Sequence, residues 1–107
     1  MEKQMITFKD LVFEDHNIQG IKSRHKFDNG FEISVVAGEH MYSTPKKNLE
    51  SPEDYSSFEV GVFDNNGEWA TRNFLPNEHD DVVGWQERGD INSLMLLIQS
   101  EDLINKI

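Results

Sequence analysis

Polar and apolar side chains alternate most cleanly between residues 21 and 36. In Ile21-Lys-Ser-Arg-His-Lys-Phe27, the bases Lys22, Arg24 and Lys26 face one way and Ile21, Ser23, His25 and Phe27 the other. Asp28-Asn-Gly30 follows, a turn signal because Asn and Gly tolerate positive φ. Phe31-Glu-Ile-Ser-Val-Val36 then returns as a partner strand with Phe31, Ile33 and Val35 on one face. Alternation resumes at Phe58-Glu-Val-Gly-Val-Phe63, which groups Phe58, Val60 and Val62. A second tight turn, Asp64-Asn-Asn-Gly67, leads to a short expected strand from Glu68 to about Asn73.

The remaining segments are less regular. Met5 to Phe13 is apolar and β-branched enough for a first strand, although Lys9-Asp10 interrupts the pattern. Asn17-Ile-Gln-Gly20 reads as a turn. Between residues 37 and 57 the periodicity disappears, and the stretch reads as a mobile or functional loop. Within it, Ser51-Pro-Glu-Asp-Tyr55 suits a short helical turn, with Ser as cap and Pro at the first helical position. Val82-Val-Gly-Trp85 lies in a polar connection from Leu75 to Gly89, and its apolar side chains and indole are expected to tuck against the sheet.

Asp90 is placed to cap a final helix, whose face carries Ile91, Leu94, Met95 and Ile98 with Leu97 beside them. That helix could run on toward Leu103 and Ile104. The order of elements gives an α+β fold: a twisted antiparallel sheet of about four to five strands in two hairpins, with the C-terminal helix packed on one face. Residues 1–107 fit a single domain, long enough for a core that needs no metal or disulfide staple.

Composition narrows the chemistry. The chain has no cysteine, which removes disulfide scaffolds, thiolate zinc sites and thiol catalysis together. Met1 to Phe8 holds no apolar stretch of signal-peptide length, and the longest apolar run, Leu94 to Ile98, is too short for a bilayer. A soluble cytoplasmic protein without membrane contact is the expectation. Residues 1–47 carry seven acids and seven bases, whereas residues 48–107 carry thirteen acids against Arg72, Arg88 and Lys106, so the whole formal charge of −10 falls in the second part. Such a surface repels nucleic acid and attracts basic protein surfaces, although acid excess also simply maintains solubility.

Two clusters combine carboxylates with imidazole: Glu78-His-Asp-Asp81 and Glu14-Asp-His16. Such groups suit cations, but neither has paired-histidine spacing, an EF-hand loop or a facial triad, and a solvated acidic loop accounts for both. His25 is read as a core histidine rather than a general base. There is no nucleophile elbow and no Gly-rich phosphate loop, so the chain is read as a non-enzyme with no cofactor and no bound metal. The basic stripe of Lys22, Arg24 and Lys26 is assigned to cross-strand pairing with Glu32 and nearby acids rather than to nucleic acid. Among the aromatics, Tyr42, Tyr55 and Trp69 fall in or beside polar segments and are candidate interface anchors, with Glu78, Asp80 and Asp81 as the acidic rim.

At Phe27 to Val36, at Phe58 to Glu68 and at Asp80-Asp-Val-Val-Gly-Trp85, the chain resembles a group of small acidic tailed-bacteriophage proteins. Their common elements are an aromatic-x-Asn-Gly-aromatic hairpin and an Asp-Asp-Val-x-Gly-aromatic stretch before a last helix. The long segment from Ala37 to Ser57 and the apolar Leu94 to Ile98 depart from that pattern. The resemblance covers residues 7–99 and implies an accessory protein acting in the host-cell cytoplasm, without implying site residues. The leading expectation is therefore a non-enzymatic protein that binds a basic host or viral protein through its acidic second part. In a sharper form it inhibits a nucleic-acid-binding host or defence protein. The alternatives are a small metal-dependent enzyme using residues 78–81 and a structural or assembly component of the virion.

Overall fold

The computed structural model describes residues 5–15, 20–78 and 80–100. Five strands follow one another as an open antiparallel sheet in sequence order: β1 (Glu14–Asp15), β2 (Ile21–Lys26), β3 (Glu32–Ala37), β4 (Phe58–Phe63) and β5 (Val82–Gln86). A short helix α1 (Thr71–Phe74) interrupts the connection from β4 to β5, and α2 (Arg88–Gln99) closes the described chain. The fold is α+β, as the alternation and the terminal helix predict.

The hairpin at Asp28-Asn-Gly30 forms as the turn chemistry dictates. Gly30 takes φ +99°, and the Phe27 N–H donates to the Phe31 carbonyl at 2.7 Å. Register then runs unbroken from Lys26↔Glu32 to Ile21↔Ala37. Because strand side chains alternate, this places Ile21, Ser23, Ile33, Val35 and Ala37 on one face, joined by Phe58, Val60 and Val62 of β4 and Val83 of β5. The helix α2 covers that face with Ile91, Leu94, Met95 and Ile98. Leu97, expected beside this stripe, is instead exposed.

The N-terminal segment completes the core, but not as a strand. The Asp10 carboxylate accepts the Thr7 N–H at 3.0 Å and closes a 3₁₀ turn over Phe8–Asp10, which brings Phe8 and Leu11 inward together. The Lys9-Asp10 interruption thus marks a turn, and pairing begins only at β1, with Glu14↔Lys22. An irregular segment needs partners for its backbone groups. Here α2 supplies them: Asn92 Oδ1 accepts from the Phe8 N–H at 2.8 Å, and the Gln99 amide both accepts from the Ile6 N–H (2.8 Å) and donates to the Ile6 carbonyl (2.6 Å).

The second hairpin departs from expectation. Asp64 Oδ1 accepts from the backbone of Asn66 and Glu68, and Gly67 adopts φ +81°, so the turn itself forms. After one bridge, Phe63↔Trp69, the chain leaves the sheet. Thr71 Oγ1 accepts the Val62 N–H at 2.9 Å and donates to the Asp81 carbonyl at 2.5 Å, so a side chain takes the place of strand backbone. The expected strand from Glu68 to Asn73 is therefore one bridge and α1, and the partner of β4 is β5.

Residues 38–57 are tied down at several points. Ser51 caps a 3₁₀ turn over Pro52–Asp54, accepting the Glu53 N–H at 3.3 Å as the Ser-Pro spacing predicts. Thr44 bridges to Ser57, and the Arg88 side chain donates to the Tyr55 and Pro52 carbonyls at 2.9 and 2.5 Å. That guanidinium also lies over the Phe8 and Phe58 rings, at 5.1 and 5.3 Å from their centroids. The helix α2 begins at Arg88 rather than after Asp90, because the Asp90 carboxylate reaches back to accept the Glu87 N–H at 3.0 Å. The expected turn at Asn17 to Gly20 and the extension toward Leu103 and Ile104 fall mostly outside the described residues.

Candidate functional site

The second face of the sheet has no helix over it among the described residues, and most of its side chains are at least partly exposed. Pairing aligns Lys22, Val36 and Glu59 in one row, Arg24, Ser34, Gly61 and Val82 in the next, and Lys26, Glu32 and Phe63 in a third. Gly61 in β4 and, beyond these rows, Gly84 in β5 lack side chains, and aromatic rings occupy the space.

At Gly61, a Cβ would lie 2.7 Å from Cζ3 of Trp69, so this indole rests directly on bare backbone. Trp69 stacks on Phe63 with ring centroids 4.4 Å apart and a 28° interplanar angle. The other neighbour of Phe63 is the Arg24 guanidinium, 4.3 Å from its centroid, which also makes a two-point contact with the Glu32 carboxylate at 3.1 and 3.2 Å. The basic stripe thus pairs across strands at Arg24, as its spacing predicts. Trp69 itself stays 47% exposed.

Two residues further along β5, roughly 7 Å of strand, the device recurs. A Cβ at Gly84 would meet the Tyr42 Cβ at 2.4 Å, so the tyrosine lies against glycine backbone. The Tyr42 N–H donates to Glu59 Oε1 at 3.0 Å, its carbonyl accepts the Trp85 N–H at 2.8 Å, and the two rings sit 5.0 Å apart. Lys46 Nζ lies 4.9 Å from the centroid of the Tyr42 ring.

Trp85 is where sequence reasoning fails most instructively. Val83 pairs with Val60, and strict alternation would put Trp85 on the same buried side. Instead Gln86 pairs with Phe58, so β5 carries one extra residue, a β-bulge that re-aims the indole outward. Trp85 holds φ 53°, a left-handed backbone that a bulky side chain adopts only at a cost of about 1–2 kcal/mol. It is 55% exposed, so the expectation that its indole tucks against the sheet is corrected. Asp-Val-Val-Gly-Trp contains no mark that would reveal this, apart from a glycine inside an apolar run.

The other sequence candidates separate. Tyr42 is 49% exposed and lies on this face with Trp69, whereas Tyr55 is 1% exposed and belongs to the core. Its hydroxyl donates to the Lys47 carbonyl at 2.5 Å and accepts the Leu49 N–H at 2.7 Å, so it is a buried tether of the preceding loop and not a surface anchor. Its polar sequence neighbours mislead because the groups its hydroxyl bonds are the backbone atoms of Lys47 and Leu49.

Glu78 and Asp80 are exposed, while Asp81 is half-buried and pairs with Arg72 at 3.4 Å. His79 and His16 lie outside the described residues, and among the described residues no group of three His, Asp or Glu side chains could hold a metal ion. His25 is half-buried, with its ring edge-on to Phe27 at 5.0 Å.

The acids of the second part do not form one row. Asp64, Glu68, Glu78, Asp80 and Asp81 lie near the end of β4 and the start of β5. Glu50, Glu53, Asp54, Glu87 and Asp90 belong to the opposite end, where Arg88 joins α2 to the turn at Pro52. A donated bond from Ser51 and the Glu53 backbone N–H, helped by the Arg88 charge, hold the Glu53 carboxyl below its ordinary pKa. The carboxylates therefore bracket the aromatic face at both ends of the sheet. No helix among the described residues is long and apolar enough to cross a membrane. The chain matches no protein-family model, no curated protein and no solved structure.

Proposed function

We propose that the chain is a non-catalytic protein-binding module whose recognition surface is the open sheet face around Trp69, Tyr42 and Trp85, and whose partner presents basic groups. The supporting observation is Trp85: a strained backbone and a bulge hold a large apolar side chain out in solvent, where it adds little to the core. Strain of this kind persists where a function uses it. Aromatic rings backed by glycine supply large, rigid contact area with little entropy to lose on docking. Carboxylates at both ends of the sheet, with the formal charge of −10, favour a cationic partner. An accessory role in a tailed bacteriophage rests on the sequence resemblance alone.

Affinity capture from cell lysate tests the reading, with wild-type chain compared against a Trp69→Ala, Trp85→Ala double variant matched in far-UV circular dichroism. Proteins held by the wild type and released by the double variant are the expected result. If both retain the same proteins to the same extent, the open face is not the recognition surface.

A further inference from the structure

We infer that the open face is built to seat arginine guanidinium groups of its partner, stacked on the exposed indoles of Trp85 and Trp69 with nearby carboxylates as second contacts; this deepens, and rests on, the protein-binding reading above.

The chemistry is already present within the fold. Arg24 lies 4.3 Å from the Phe63 ring centroid while both its Nε and Nη2 contact Glu32. That is a guanidinium held by a ring on one side and a carboxylate in its plane. Arg88 repeats the combination with the Phe8 and Phe58 rings and two backbone carbonyls. Each open indole sits in a comparable setting. Trp85 leans on Tyr42 with Glu59 bonded at the Tyr42 N–H, and Glu87 follows two residues later. Trp69 has Phe63 against it and Glu68 beside it in the chain, and the Asp81 backbone lies with it beside Gly61.

A planar, weakly hydrated guanidinium can stack and bond to a carboxylate at once, whereas an ammonium is a compact charge that keeps its water. Single-stranded nucleic acid also stacks on aromatic sheet faces. The carboxylates at both ends of the sheet oppose its phosphates, which favours the arginine-bearing protein.

Trp69 and Trp85 are the only two tryptophans of the chain, and both lie on this face, so intrinsic fluorescence and the two indole N–H resonances report on it directly. The full chain is titrated with a blocked hexapeptide alternating glycine and arginine, with its lysine counterpart, and with oligo-dT. The expected result is that the arginine peptide shifts both indole signals at concentrations about fivefold or more below the lysine peptide. Glu59→Gln should weaken that response about threefold or more, and oligo-dT should leave the indoles unmoved.

Equal response to both peptides overturns the guanidinium preference while leaving the face a cation-binding surface. Stronger perturbation by oligo-dT overturns it in favour of nucleic acid. If no probe moves the indoles, the guanidinium seat is wrong. Whether the face still binds protein is then decided separately by the capture comparison of wild type and double variant.

Discussion

On one side of the sheet, Ile21, Ile33, Val35, Val60 and Val62 meet the stripe of α2, and each of these side chains is sealed from water. On the other, Arg24, Phe63 and Trp69 form a layered stack, Tyr42 leans on Trp85, and three large rings are about half exposed. The same strands supply both faces, alternating residue by residue. The buried face fills its space with side chains from its own strands and from α2. The open face does the reverse: it removes side chains at Gly61 and Gly84 and lays rings from elsewhere in the chain across the gaps. Burial alone explains the first arrangement. It does not explain the second, because rings left half in water return little of the hydrophobic gain that a core position gives.

The comparison predicts unequal costs for truncation. Ile33→Ala removes a fully buried side chain from a central strand and should destabilise by about 3 kcal/mol in urea unfolding. Trp69→Ala removes a much larger side chain, yet should cost about 1 kcal/mol, since its indole is half in solvent and its loss opens no internal cavity. Should Trp69→Ala prove as damaging as Ile33→Ala, the open face is a second core, and its aromatics need no partner to account for them.

These two faces also differ in how plainly they are written in the chain. The buried side follows from period-two alternation at residues 21–27, 31–36 and 58–63, from Asp28-Asn-Gly30, and from the helical spacing of Ile91, Leu94, Met95 and Ile98. Each signal is local, and each agrees with its neighbours. The open side depends on contacts distant in sequence, such as Tyr42 lying on Gly84 and leaning on Trp85. Residue type therefore picks out Tyr42 and Trp69 as aromatics in polar surroundings, but it picks out Tyr55 equally, and that hydroxyl turns inward to bond Lys47 and Leu49. The second turn, Asp64-Asn-Asn-Gly67, forms as written, yet Thr71 draws the following residues out of the sheet through its hydroxyl. Carboxylate placement is not local either: the second part holds all the net charge, but antiparallel folding sends its acids to two ends.

Trp85 sharpens the contrast, because it is a single position where packing and backbone preference conflict. Two substitutions isolate the backbone contribution. Trp85→Ala and Trp85→Gly both delete the indole and its contact with Tyr42, but only alanine retains a Cβ at φ 53°. Glycine tolerates that conformation without penalty. Trp85→Gly should therefore be about 1 kcal/mol more stable than Trp85→Ala, read as a difference in urea midpoint at unchanged slope. Equal stability would mean that the bulge carries no strain, and the case for a position shaped by binding would lose its main support.

The smallest expected effect lies on the buried side, at the one place where that face breaks its own rule. Ser23 is 1% exposed, and its Oγ has no hydrogen-bond partner among the described residues. A buried hydroxyl without a partner is penalised by lost hydration, while the single atom removed by Ser23→Ala leaves only a small void. The two effects oppose each other, so Ser23→Ala should leave the thermal midpoint unchanged or raise stability by up to about 1 kcal/mol. A loss larger than that would mean the hydroxyl holds an ordered water between β2 and its cover. The buried face would then contain a polar centre, and the two sides of the sheet would differ less in kind than their side chains suggest.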